Sequence, residues 1–186
     1  MIKLTELLKE DTPKYEYGCV MLYFQFPKMT ELHKIINPND IYEADINGGY
    51  GLETEPHCTL LYGLHDGVSL ENVTSILDNF KFGECKIYNP SLFENEDFDV
   101  LKFDVGYTTR GGAFLQKANI ELAKLPNTQT YPDYHPHMTV AYLKPGMGKK
   151  YVDLISKSAE PEFIVQPDYA VYSVPSGTKT KIEIRK

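Results

Sequence analysis

The feature that most constrains this chain is a seven-residue segment that occurs twice. Residues 56–62 read PHCTLLY and residues 136–142 read PHMTVAY, so a proline, a histidine, a threonine and a tyrosine recur at the same positions. The apolar character of both copies predicts β-strands, in which side chains alternate between two faces. The histidine and threonine of each copy therefore share one face, while Tyr62 and Tyr142 are expected on the opposite, core-facing side. The four polar side chains of the repeat are His57, Thr59, His137 and Thr139.

Two histidines and two threonines around one phosphate can cleave a phosphodiester that has a neighbouring 2′-hydroxyl. One histidine takes the proton of that hydroxyl and the other protonates the leaving oxygen, because an imidazole with a pKa of about 6.5 serves either role near neutral pH. Threonine hydroxyls can donate hydrogen bonds to the non-bridging oxygens. The repeat therefore predicts a catalytic quartet that requires no metal or cofactor. Partly buried structural histidines are the alternative interpretation.

The remaining pattern predicts an α+β fold. Strands are expected at 18–26, 82–88, 98–105, 162–166, 169–174 and 180–185, and helices at 29–36, 69–80, 110–125 and 151–155. Each half of this order contains one copy of the repeat, which indicates a duplication with a cleft between two lobes. We expect a single domain over residues 1–186, in which residues 1–14 are an additional N-terminal segment of no assigned function.

Charge and cysteine content limit the classes of partner. A formal net charge of -7 disfavours a protein that binds long nucleic acid, although a small anionic ligand in a local pocket remains compatible with it. Three cysteines without metal-like spacing indicate a reducing, cytoplasmic environment. No apolar stretch approaches the roughly 20 residues of a membrane span. The sequence leaves the oligomeric state open.

The two motifs, PHCTLLYGL and PHMTVAYLK, resemble the signature motifs of the two-histidine (2H) phosphoesterases, which include RNA 2′,5′-ligase-like proteins and cyclic phosphodiesterases. The resemblance implies a bilobal fold with pseudo-twofold symmetry, antiparallel sheets facing a central cleft, and metal-independent 2′,3′-cyclic-phosphate chemistry. It assigns the catalytic roles to His57, Thr59, His137 and Thr139.

A narrower resemblance rests on VMLYF, EPHCTLLYGLH, YHPHMTVAYLKPG and VYSVPSGTK, which are similar to segments of phage-encoded anti-CBASS nucleases. It covers most of residues 18–186 and implies cleavage of the cyclic oligonucleotides of bacterial immunity, in the host bacterial cytoplasm if the chain is phage-encoded. That family stacks bases on aromatic side chains, including a tryptophan near the C-terminus. This chain has no tryptophan, so Tyr172 is expected to substitute for it.

Three tyrosines are the candidate substrate-binding residues: Tyr23 on the first strand, Tyr50 in a glycine-containing loop, and Tyr172 on a late strand. Core or surface packing is the alternative for each. His135 and His137 could also be interpreted as a metal pair, but no other ligand cluster is visible in the sequence.

Three functional hypotheses follow. The first is an enzyme that cleaves the 3′-5′ bonds of cyclic di- or trinucleotides through attack by a 2′-hydroxyl. The second is an enzyme that processes RNA ends bearing 2′,3′-cyclic phosphates, or a 2′-5′ RNA ligase-like activity. The third is a non-catalytic sponge for cyclic nucleotides, which would have no need of both an acid and a base.

Overall fold

The computed structural model describes residues 15–43, 50–108, 113–129, 131, 133–158 and 162–186. The N-terminal segment 1–14 and Gly48 and Gly49 of the glycine-containing loop lie outside the described residues.

The described residues form eight strands and four helices. The strands are β1 (Gly18–Phe24), β2 (His57–Leu64), β3 (Cys85–Glu94), β4 (Asp99–Tyr107), β5 (His137–Leu143), β6 (Phe163–Val165), β7 (Pro167–Ser173) and β8 (Lys179–Glu183). The helices are α1 (Lys28–Lys34), α2 (Leu70–Leu77), α3 (Phe114–Leu122) and α4 (Lys149–Ser156). Local sequence explains several boundaries: Pro27 follows β1, and Ser69 caps α2 by accepting from the backbone N–H of Asn72.

Two four-stranded antiparallel sheets make the two lobes. The first has the order β2-β1-β7-β8 and the second the order β5-β4-β3-β6. The two motif strands, β2 and β5, occupy the same edge position in their respective sheets. The α+β bilobal fold predicted from the sequence is confirmed.

The lobes meet along these two edge strands, which contact each other. Isolated bridges join Leu52 to Ala141 and Leu64 to Asn127, so the residues before each motif strand pair with the end of the other strand. Gly63, at φ +112°, allows the segment before β5 to come close to the end of β2. Any other residue would place its Cβ 2.2 Å from the carbonyl oxygen of Thr128.

One apolar core extends through both lobes. Its fully buried members include Leu22 and Leu60 in the first sheet and Phe103 and Met138 in the second. Helix α1 packs against β5, and α3 packs against β2, so each helix covers a motif strand. Burial of this shared surface ties the two lobes together.

A smaller cluster of Met21, Tyr23 and Val171 lies apart from this core, with Cys19 and Tyr169 packed against it. It occupies the other face of the first sheet, the face that carries His57 and Thr59. We call this face, together with the face of the second sheet that carries His137 and Thr139, the cleft face.

Candidate active site

The two motif histidines have the same backbone setting. The carbonyl of Pro56 accepts a hydrogen bond from the N–H of Phe24, and the carbonyl of Pro136 accepts one from Val105, each at 2.9 Å. A proline also holds the residue before it in an extended conformation. Each histidine therefore begins its edge strand after a proline with the same backbone hydrogen bond, so the repeated motif has matching settings in the two lobes.

Both imidazoles are held in the same tautomer. Nδ1 of His57 lies 2.8 Å from the carbonyl oxygen of Glu55, and Nδ1 of His137 lies 2.8 Å from that of His135. A carbonyl oxygen can only accept, so Nδ1 donates in both rings and the neutral imidazole carries its lone pair on Nε2. Each Nε2 can therefore take up or release a proton.

The charges around the two histidines differ. Burial lowers the pKa of His137, and the positive charges of Lys102 and His57 lower it further, although the His135 carbonyl and Asp104 act in the opposite direction. At His57, a carboxylate oxygen of Glu53 lies 3.8 Å from Nδ1. The lowered pKa keeps His137 neutral near pH 7, as a group that must take up a proton has to be, whereas His57 has an anionic neighbour.

The threonines occupy equivalent registers with different neighbours. Thr59 lies opposite Met21 on β1, whereas Thr139 lies opposite Lys102 on β4. Lys102 is 7% exposed, and its Nζ lies 2.5 Å from Asp104, which in turn lies opposite His137. The sequence analysis missed both Lys102 and Asp104, and the position opposite Thr139 is therefore charged where the position opposite Thr59 is apolar.

Tyr23 lies at the site but does not offer a free ring face. Its ring stacks on His57 at 5.3 Å between centroids and on Tyr169 at 5.1 Å, and these residues come from the strands on either side of it. Only 5% of Tyr23 is exposed. The ring therefore supports the imidazole of His57 and has no face open to a base, and contact between the edge of Tyr23 and a substrate stays a prediction.

His137 has a different aromatic neighbour. The ring of Phe93 packs edge to face on it, with centroids 4.9 Å apart, and the Nζ of Lys102 lies 4.8 Å from the centre of the Phe93 ring. Phe93 is 38% exposed and was not singled out in the sequence analysis. Its ring restricts the orientation of His137 from the second lobe, as Tyr23 restricts His57 from the first.

Tyr50 belongs to an aromatic group beside the second motif. Its ring is perpendicular to Tyr142 at 5.1 Å and also contacts Tyr42 and Phe98. It is 46% exposed. Tyr50 therefore stays a candidate for contact with a substrate, on an exposed surface next to Tyr142.

Tyr172 is not at the site. It is 2% exposed, lies opposite Val20 on the core face of the first sheet, and donates from its hydroxyl to the carbonyl of Val68 at 2.7 Å. The expectation that Tyr172 replaces a base-stacking tryptophan is corrected, because the strand pairing directs this side chain into the core.

The two motif tyrosines lie on the cleft face, contrary to expectation. Register shifts leave extra residues in both motif strands, at Leu60 and Gly63 in β2 and at Val140 in β5, and the bulges at Leu60 and Val140 reverse the alternation before the two tyrosines. Tyr62 consequently lies opposite Cys19, and Tyr142 lies beside Thr139. Burial raises the pKa of the Tyr142 phenol, and the side chain of Thr139 acts in the opposite direction.

Helix side chains bind the carbonyls at the Leu60 and Val140 bulges. Nδ2 of Asn119 on α3 donates to Leu60 at 2.7 Å, and Nε2 of His33 on α1 donates to Val140 at 3.1 Å. His33 thus has a structural role. The bulges are fixed features of the fold.

Two further properties concern only the part of the chain described above. No group of three or more His, Cys, Asp or Glu side chains there is arranged to hold a metal ion. Within the same residues, the helices are all too short or too polar to cross a membrane.

No family model and no curated protein matches the sequence. Among solved structures, Usb1 of Kluyveromyces marxianus is similar with a TM-score of 0.59 at 8% identity, over 92% of this chain and 99% of that chain. Usb1 with uridine monophosphate gives a TM-score of 0.57 at 9% identity, over 90% and 98%. A crystal structure of a phosphoesterase gives 0.50 at 12% identity, over 91% and 95%. The chain therefore has the bilobal fold of the two-histidine phosphoesterases.

Proposed function

We propose that this protein is a metal-independent phosphodiesterase that cleaves 3′-5′ bonds of cyclic di- or trinucleotides by attack of a 2′-hydroxyl. The observation that carries the proposal is the matched pair of imidazoles on facing edge strands, His57 and His137. Each has Nδ1 held by a backbone carbonyl, which leaves Nε2 for proton transfer. A binding protein would have no need of this arrangement.

The electrostatic asymmetry assigns the two proton transfers. His137, with its lowered pKa, is neutral at pH 7 and takes the proton of the 2′-hydroxyl. The 2′-oxygen then bonds to phosphorus, and the bond from phosphorus to the 5′-oxygen of the next nucleotide breaks. His57, beside Glu53, gives that oxygen its proton. The linear product ends in a 2′,3′-cyclic phosphate.

Thr59 and Thr139 donate to the non-bridging oxygens as negative charge develops on them. Thr139 is 9% exposed, so a hydrogen bond from its hydroxyl would form in a largely dry environment. The cation of Lys102, on the adjacent strand, adds positive potential on the same side of the phosphate. Together these groups favour an anionic transition state over a neutral ligand.

A compact substrate fits the charge of the protein better than a long one. With a formal net charge of -7, the surface repels an extended polyanion, whereas a local site with Lys102 and the two histidines accepts a single phosphodiester. The resemblance of the motif segments to anti-CBASS nucleases supports cyclic oligonucleotide messengers as the class. The biological role proposed is the removal of such messengers during bacterial immunity.

A second candidate function is the processing of RNA ends that bear 2′,3′-cyclic phosphates. It is supported by the structural likeness to Usb1, which has been solved with uridine monophosphate. The same four side chains would act on a terminal nucleotide. A 2′-5′ ligase-like activity is distinguished from both by its joined product, and a non-catalytic sponge by binding without any product.

The test is a panel of 3′,3′-cyclic di- and trinucleotides and oligoribonucleotides with 2′,3′-cyclic phosphate ends, incubated with the protein in EDTA. We expect opening of at least one cyclic compound, and loss of turnover in His57→Ala and in His137→Ala. The double variant should be little worse than either single variant, because the two groups act as a unit.

A matched control is His135→Ala, which removes a third imidazole but keeps the backbone carbonyl that holds His137. This variant should retain its kcat in EDTA, because the carbonyl that holds His137 is unchanged. Turnover only of the RNA ends would select the second candidate function. Small and additive losses in the two motif variants would contradict the acid and base roles, and binding of cyclic compounds without cleavage would indicate a sponge.

A further inference from the structure

A cavity of about 460 Å³ continues the cleft face of the second sheet beyond the start of β5. Its lining includes Asp104, which lies opposite His137, and His135 and Pro136, which immediately precede it. Its size lies within the range of about 300–1,000 Å³ for small-molecule sites. The cavity is therefore adjacent to the proposed catalytic base.

The sheet side of this cavity is aromatic. Tyr88 and Tyr107 both line it, and Tyr88 lies on β3 opposite Asp104. The ring of Tyr88 lies close over Gly106, where a Cβ would come within 2.9 Å of its Cε1. Glycine at this position thus lets the ring lie near the sheet. The Nζ of Lys86 lies 5.4 Å from the centroid of the Tyr88 ring, so a ligand over the ring would contact this ammonium as well.

The helix side of the cavity carries an amide with unused hydrogen-bonding capacity. Gln116 of α3 lines the cavity, and its Oε1 is buried without a hydrogen-bond partner among the described residues. Buried polar atoms are nearly always paired in folded proteins. An amide presents both an acceptor and donors, and a small rotation of the side chain would direct them to a ligand edge.

The charges around the cavity are already compensated. Nζ of Lys86 lies 2.6 Å from Glu162, and Asp104 contacts Lys102 and Asn89. A second phosphate would find no unpaired cation among these residues. A neutral, planar group with hydrogen-bonding edges is the better match to an aromatic surface and an amide.

Resting on the proposed function, we propose that this cavity binds the nucleobase of the nucleotide that supplies the attacking 2′-hydroxyl. Tyr88 contacts the face of the base and Gln116 pairs with its edge. The side follows from the position of the cavity next to His137, which takes the proton of that hydroxyl. The substrate class is therefore one with a base on the 2′-hydroxyl side of the scissile phosphate.

The experiment measures binding and turnover separately. Affinity for a 3′,3′-cyclic dinucleotide is measured by calorimetry in a His57→Ala background, and KM and kcat are measured in the otherwise native chain. Tyr88→Leu should weaken binding and raise KM about 5- to 150-fold through the loss of base stacking. Gln116→Ala should do so about 2- to 10-fold, with kcat largely unchanged in both.

Two control variants and one control substrate accompany these measurements. Tyr88→Phe keeps the ring and should retain native affinity. Lys117→Ala changes the exposed neighbour of Gln116 on the same helix and should have no effect. A linear dinucleoside monophosphate that lacks the base on its 2′-hydroxyl side should bind equally to the native chain and to Tyr88→Leu. Melting temperatures establish that each variant is folded.

The outcomes separate the cavity from the proposed function. Native affinity and KM in both Tyr88→Leu and Gln116→Ala would overturn the cavity while leaving the phosphodiesterase in place. Weakened binding with no turnover by the native chain would support the cavity and overturn the enzyme. An effect that persists with the base-free substrate would overturn base recognition, and no binding by the native chain would overturn both.

Discussion

The buried hydroxyl of Tyr172 provides a quantitative test of the fold and of one correction to the sequence analysis. Tyr172→Phe removes a donor whose distance to the carbonyl of Val68 is 2.7 Å. Tyr172 is 2% exposed and Val68 is 7% exposed, so water cannot easily replace that donor. Leaving the carbonyl unpaired should cost about 1–3 kcal/mol of unfolding free energy. For a chain of this length that corresponds to a fall in Tm of about 2–12 °C.

The assay is thermal unfolding followed by circular dichroism, together with affinity for the cyclic dinucleotide. Tyr62→Phe is the matched control, because the ring of Tyr62 is 38% exposed on the cleft face and its hydroxyl makes no hydrogen bond within the described residues. Its Tm should be unchanged, as is usual for surface substitutions. An unchanged Tm in Tyr172→Phe with weakened binding would refute the core placement and restore the original expectation that Tyr172 contacts a base.

Two further predictions concern the chemistry. Thr59→Val and Thr139→Val should each lower kcat about 10²- to 10³-fold with little change in KM, and native rates in both would make these threonines strand residues only. Lys102→Met should move the acidic limb of the pH profile of kcat/KM to higher pH, because loss of the cation lets the pKa of His137 rise. Asp104→Asn should move that limb to lower pH, and shifts in the same direction would contradict the assignment of His137 as base.

The local sequence was sufficient to predict the motif strands and the faces of their polar residues. His57 and Thr59 alternate regularly up to Leu60, so period-two reasoning holds over that stretch. The bulges were missed, although adjacent apolar residues at Leu60 and Leu61 break the alternation and are the available signal. Both are buried, at 0% and 4% exposure, which is the pattern that reverses the direction of Tyr62.

The aromatic candidates depended on pairing between distant segments. The exposure of Tyr23 is set by Tyr169, which is 146 residues away in sequence but adjacent in the sheet. The face of Tyr172 follows from its register with Val20. Likewise, nothing near Lys102 in the sequence indicates that its strand lies beside β5. These features follow from tertiary register, which local propensity does not determine.

The most direct test of the central claim compares one 3′,3′-cyclic dinucleotide with its 2′-deoxy counterpart, at matched concentration in EDTA, with products identified by mass. If His137 activates the substrate's own 2′-hydroxyl, the ribose compound is opened to a linear product ending in a 2′,3′-cyclic phosphate, which hydrolysis can then convert to a monophosphate. The deoxy compound should remain intact. Equal cleavage of both compounds, or a product formed directly by water without the cyclic phosphate, would contradict the proposed mechanism.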